Sequence, residues 1–306
     1  MVLDPFRAAG EDINSVWQHM EWEQPTGFFQ VYRLPGEWFP YEQIAIKADD
    51  FHIFFDVDEV KSVGFSDVLG AADFDISPPA VVIFARGEGD SPAEIISTGR
   101  DAAESLAGLL NVLLGNGYPV LAKAHEAVFR KDNTKTIKYY PARSRVGWKN
   151  VTKSEIMEVL KPISPSVLNT LPDNVKLALR WYGKGIREEH PVDKFISLYE
   201  CTLAVVSRWH FAAHKEAYDV NDPPPRRVFR DWIRDARNAA DSAEEDVLFE
   251  PFNRIVDKRN RIFKANDLNA EPEAILDVVG CSTQVLKWVL SQFLANYSFG
   301  FEEKTE

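Results

Sequence analysis

Lys258-Arg259-Asn260-Arg261-Ile262-Phe263-Lys264 closes a stretch that reads as one amphipathic helix, and its phase decides how the C-terminal half of the chain folds. At about 100° per residue from Phe252, the apolar residues Leu248, Phe249, Phe252, Ile255, Val256, Ile262 and Phe263 gather on one arc. Arg259 falls near the middle of that arc, whereas Arg254, Lys258 and Arg261 fall opposite. A guanidinium stays ionised, so on an apolar stripe it calls for an acid or a phosphate; left unpaired it costs several kcal/mol. The phase therefore predicts a mostly buried Arg259 paired with an acid, and Lys258 and Arg261 in solvent. Glu200, beside the apolar face of its own predicted helix, is the acid singled out for that pair. Asn260, four residues before Lys264, is predicted on the same side, placed to hydrogen-bond it or to orient a phosphate.

Around this segment, residues 151–306 have the texture of a helical bundle. Thr152-Lys153-Ser154-Glu155 offers a helix cap, and Pro162, Pro165 and Pro172 separate short segments before a helix that begins near Asp173. His190-Pro191 breaks it. The next pattern puts Val192, Phe195, Ile196, Tyr199, Leu203, Val206 and His210 on one face and runs to about Ala217. After the stiff Pro223-Pro224-Pro225 connector, Arg226, Arg230, Arg234 and Arg237 recur at helical spacing, and a last helix is predicted from about Glu273 to Tyr297. Residues 1–150 read as a separate α+β domain. Phe28–Leu34, Gln43–Lys47, Phe51–Val57 and Ala80–Arg86 are predicted strands, and Ser91-Pro92-Ala93-Glu94 is a capping box opening a helix that stops at Gly115-Asn116-Gly117. Tyr118–Phe129 and Thr136–Tyr140 fit a strand pair or a strand and a short helix equally.

Arg259-Asn260, three residues, then Lys264 resembles the Arg-Asn-x-x-x-His motif of the HEPN family of all-helical domains, many of them ribonucleases. Leu177-Ala178-Leu179-Arg180-Trp181-Tyr182-Gly183-Lys184, followed by Asp193-Lys194-Phe195-Ile196-Ser197-Leu198-Tyr199-Glu200, is similar to the first helices of the ApeA-like branch of that family. The resemblance implies an RNA-binding protein or metal-independent ribonuclease of a bacterial defence system, in which two motifs meet in one cleft of a homodimer. Arg259 would stabilise charge on the attacked phosphate, with Asn260, Lys264 and Glu200 completing the set. Lys264 departs from the family's histidine. With an ordinary pKa of about 10.4, lysine holds a phosphate well but serves poorly as a base. A catalytically inactive scaffold, which only dimerises or docks a protein, is therefore the second expectation. A metabolic accessory protein with a small-molecule pocket in residues 27–140 is the third.

The chain has 306 residues, 45% hydrophobic and 12% aromatic, enough for two cores. Its net charge of −12 argues against a general nucleic-acid coating protein, which would rely on a basic surface. The charge is uneven: residues 1–120 carry 6 basic and 20 acidic side chains, residues 121–150 carry 8 and 2. Arg226, Arg230, Arg234 and Arg237 make either an RNA-facing surface or a salt-bridged solvent face, since Asp231 and Asp235 are interleaved with them. The apolar run of Val278 to Leu294 is interrupted by Gln284 and Lys287, and no signal pattern opens the chain, so a cytoplasmic, non-membrane protein is expected. Cys201 and Cys281 lack paired spacing and read as buried small hydrophobes. His210 and His214 stand four apart without the Glu of a His-Glu-x-x-His site, and Asp56, Asp58 and Glu59 read as a solubilising turn. No metal and no cofactor are expected, and residues 1–150 are the expected place for a trigger or a protein partner.

Overall fold

The computed structural model describes residues 26–33, 44–48, 51–56, 80–85, 92–130, 135–139, 149, 151, 155, 170–218, 223–237, 242–265 and 269–294. The Thr152 cap, the Pro162 and Pro165 segments, Asp58, Glu59 and most of the basic stretch after Tyr139 lie outside them. Two compact units divide the chain: Met1–Leu106 with Tyr118–Glu158, and Ala107–Gly117 with Val159–Glu306.

In the first unit, β1 (Thr26–Arg33), β2 (Ile44–Ala48), β3 (Phe51–Asp56), β4 (Ala80–Ala85), β5 (Ala122–Arg130) and β6 (Lys135–Tyr139) form an antiparallel sheet in the order β2-β3-β4-β1-β5-β6. Of the two readings open for residues 118–140, the strand pair is the one formed, with His125 opposite Tyr139. Helix α1 (Pro92–Gly115) starts at the proline of the capping-box sequence. It ends where Asn116 and Gly117 adopt positive φ, the left-handed turn that closes many helices.

The second unit is all-helical. Helix α2 (Asp173–Arg187) has Asp173 in its first turn and Lys184 and Arg187 in its last, charges that complement the helix dipole. Helix α3 (Pro191–Leu203) opens on a proline at its first turn, where no N–H is missed. It continues without a break into a π-helical stretch, Ala204–His210, and an α-helical turn, Phe211–Ala213, before a 3-10 turn over Lys215–Ala217. The sequence pattern predicted plain α-helix here. The wider turn brings Ala204, Val205 and Val206 to the core in succession and still returns His210 to the buried face. Helices α4 (Pro225–Arg237), α5 (Ser242–Ala265) and α6 (Pro272–Phe293) follow.

Tyr182, Phe195, Leu198, Phe229, Phe252 and Val285 are core residues with no exposed surface, and burial of each such apolar side chain contributes roughly 1.5–3 kcal/mol. Helix α6 is long and apolar enough to cross a membrane by length and composition alone. Here its Val278, Val285, Leu286 and Val289 are buried, as it packs on α2, α3 and α5. Lys287, on its outer side, donates to the Asn116 side chain. Tyr182 donates or accepts a 3.1 Å hydrogen bond with Thr283 of α6. Cys201 and Cys281 are buried, as read from the sequence, and burial pushes the Cys281 thiol up to about 12.

Helices come closest where side chains are smallest. A Cβ on Gly108 would lie 2.0 Å from the Leu179 carbonyl oxygen, and one on Gly185 would lie 2.8 Å from Leu198 Cγ. The first obstacle is backbone, so relief needs a helix to move. Gly108→Ala is therefore expected to destabilise the protein by roughly 1–3 kcal/mol or more, despite alanine's better helix propensity. Urea unfolding measures it, and an unchanged or raised midpoint would show that this crossing is not as tight as described.

Candidate nucleic-acid interface

The predicted Arg259 environment is partly as expected. Arg259 is half-buried on α5, its guanidinium 4.7 Å from the Phe263 ring centre, and Nη1 donates to Asn260 Oδ1 at 3.3 Å. Its Nε is buried and finds no hydrogen-bond partner among the described residues. The expected partner is elsewhere: Glu200 accepts from Arg208 at 3.2 Å. The π turn explains this, because it lowers the rotation per residue and brings Arg208 round to Glu200's side of the helix. Tyr199, beside Glu200, lies in Arg259's field instead. Burial raises its phenol pKa, while Arg259 and, more weakly, Arg226 pull it down.

Three further expectations are corrected. Lys258, predicted in solvent, is 1% exposed and holds Glu271 at 3.0 Å, because α6 folds back along this side of α5. Arg254 pairs with Asp277 at 2.8 Å on the same side. One apolar arc was too simple a description of a helix packed on both α4 and α6. Phe263, assigned to the apolar arc, is 57% exposed. Asn260 spends its carbonyl on Arg259 rather than on Lys264, which is exposed, as is Arg261.

The arginines of α4 converge on a different feature. Arg226, Arg227, Arg230 and Arg234 line an open cleft of about 1100 Å³, walled by His210, His214 and Tyr218 at the end of α3 and by Phe249, Asn253 and Asp257 of α5. The α4 apolar face makes the wall rigid: Phe229 stacks on Phe252 at 3.8 Å between ring centres and 4° between planes, and Trp232 meets Trp288 edge-on. With Phe229, Trp232 and Ile233 buried, the arginines are left on the cleft side. Arg226 reaches across to Asp257 at 2.5 Å and donates to the Asn253 carbonyl at 3.3 Å. Arg230 lies over the Phe249 ring at 4.1 Å and Arg227 over Tyr218 at 5.5 Å, while Arg234 sits 3.9 Å from Asp231. Of the arginine row read from the sequence, Arg226 and Arg234 are ion-paired along the surface, and Arg226, Arg230 and Arg234 border the cleft, joined there by Arg227. The Arg237 side chain lies outside the described residues.

From the sequence, His210 and His214 read as ordinary histidines and Asp235 as part of a salt-bridged solvent face; the fold brings the three together. His210 is 2% exposed, with Nε2 2.8 Å from Asp235 Oδ2; His214 Nε2 is 4.0 Å from the same oxygen, and the two rings are 4.5 Å apart. Asp235 stands in the arginine row at helical spacing, which signals only a charged face. Its pairing with an α3 histidine is tertiary information.

Burial pushes the His210 pKa below its ordinary value, against the Asp235 hydrogen bond that pulls it up. A folded pKa below the unfolded one means that protons favour the unfolded chain, so this contribution is complete above about pH 6.5 and fades as pH falls. The urea midpoint is expected to drop between pH 7 and 5.5 in the native protein and less in His210→Gln. Equal slopes would remove His210 from the acid response. In comparisons with known proteins, the chain matches no family model, no curated protein and no solved structure.

Proposed function

We propose that the helical unit binds RNA through the α4 cleft, as an HEPN-like module of a cytoplasmic bacterial defence protein. The observation that carries the reading is four arginines from one helix bordering a single open cleft, on a chain whose net charge is −12. Four arginines outnumber Asp231, Asp235 and Asp257 in the cleft lining, a local positive balance that favours a polyanion there over the acidic remainder of the chain. Tyr218, half-buried at the cleft wall, offers an aromatic ring for a base beside the phosphate-binding guanidinium groups, while buried Phe249 seats Arg230. Residues 1–150, read as an α+β domain, would carry the sensor or the docking surface for a protein partner.

Cleavage is the narrower form of the proposal. It assigns phosphate stabilisation to Arg259, with Asn260 and Lys264, and calls for a homodimer that brings two such sets together. Half-buried Arg259 with an unpartnered Nε, next to exposed Phe263, supports an association surface at this end of α5. The scaffold reading is favoured by one residue, Lys264, where the family has its proton-transferring histidine.

Fluorescence anisotropy with a labelled single-stranded RNA, in chelator, tests the binding. Arg230→Ala with Arg234→Ala is expected to weaken binding roughly tenfold and to flatten its salt dependence by about one unit of slope. RNA affinity untouched by that double change would sink the cleft as the interface. Sedimentation at micromolar concentration is expected to show a dimer, dissociated by Phe263→Glu. A native monomer would leave the composite site without its geometry. Among native, Arg259→Ala and Lys264→His proteins, RNA cleavage gained by Lys264→His would mark a decayed nuclease, while binding without cleavage in all three would favour the scaffold.

A further inference from the structure

We propose that His210, His214 and Asp235 form a binding site for a zinc-class divalent metal ion at the α3 end of the cleft. The donor atoms of the three side chains lie within 4.8 Å of one another. A tetrahedral ion with ligand bonds of about 2.0–2.1 Å needs donors about 3.3 Å apart. The His210–Asp235 separation of 2.8 Å must open by about half an ångström, and the His214–Asp235 separation of 4.0 Å must close by somewhat more. The adjustments fall on the more exposed partners. His214 and Asp235 have side chains about half exposed, at 51% and 52%, while His210 at 2% is the fixed point.

The ligand chemistry selects among cations. Two imidazoles and one carboxylate suit zinc and its neighbours, whereas magnesium and calcium prefer sites made of oxygen. The surroundings supply negative charge: Asp231 lies close enough to act on His210, and it also accepts the Tyr218 hydroxyl. One term opposes binding. For a metal to take Nε2, the single proton of the neutral ring must sit on Nδ1 instead, which is buried without an acceptor among the described residues. That cost places the expected affinity in the micromolar range, below that of closed structural zinc sites. Three protein ligands leave a coordination position facing the cleft, where an oxygen of a bound phosphate fits as the fourth ligand. The inference goes beyond the RNA reading and does not depend on it.

The full chain, stripped with chelator, is titrated calorimetrically with zinc in the absence of RNA, and with cobalt(II) followed by visible absorption. The expected result is about one ion per chain, a cobalt spectrum in the tetrahedral range, and no binding of magnesium. His214→Ala and Asp235→Asn, both at half-exposed positions and tolerable to the fold, should each lower zinc affinity by roughly tenfold or more. Both residues line the cleft, so RNA affinity is not used as their control: the metal site is read from zinc and cobalt binding without RNA, the RNA interface from Arg230→Ala with Arg234→Ala in chelator, and the two failures read out separately. Absence of binding, or zinc affinity unchanged in both variants while circular dichroism shows them folded, overturns the proposal.

Discussion

The stacking of Phe229 on Phe252 is the contact on which the cleft depends. Parallel rings at 3.8 Å lay α4 along α5 with little freedom to roll, and the neighbouring Trp232 is locked by Trp288 of α6. Rolling α4 would turn its arginines toward the core or toward open solvent. As packed, the same helix presents an aromatic face inward and a guanidinium row outward, so hydrophobic energy positions charge. Loss of either phenyl ring would cost about 3–5 kcal/mol and would disperse the row at the same time.

The electrostatics of the unit are arranged around α5, which has three neighbourhoods. Toward α6 it is tied by Arg254–Asp277 and by the buried Lys258 with Glu271. Toward α4 it supplies Asp257, which holds Arg226. Its C-terminal end carries Arg259 over Phe263, with exposed Lys264 beyond. The Lys258 pair is the most demanding of these. A buried ammonium stripped of its acid would cost more than the pair contributes, so Glu271 is a structural necessity for α5 rather than a surface ornament.

Helical periodicity made the C-terminal elements legible. Prolines at residues 172, 191, 225 and 272 marked four helix starts, and the apolar face of α3 was placed through His210. Periodicity reports one stripe at a time, however, and this is where the site eluded it. Lys258 was assigned to solvent because a single arc was drawn for a helix with two packed sides. Glu200 was matched to Arg259 on residue type, while a π turn hidden in an ordinary apolar run handed it to Arg208. The His210–Asp235 contact joins residues 25 apart in sequence, on different helices, and no spacing rule announces such a pair.

The π turn has a consequence at the level of the gene. Such a turn is an α-helix carrying one surplus residue, so the chain beyond it runs one position out of step with the chain before it. Removing a single residue from Ala204–His210 would let α3 close into regular α-helix and would leave every other residue of the site in the protein. The chain beyond the deletion would keep close to its present direction, because the surplus residue is what the wider turn absorbs. A one-codon loss within this stretch, ahead of His210, would therefore spare the corner of the cleft beyond it, whereas the same loss in the regular helix before it would turn both histidines about 100° away from Asp235.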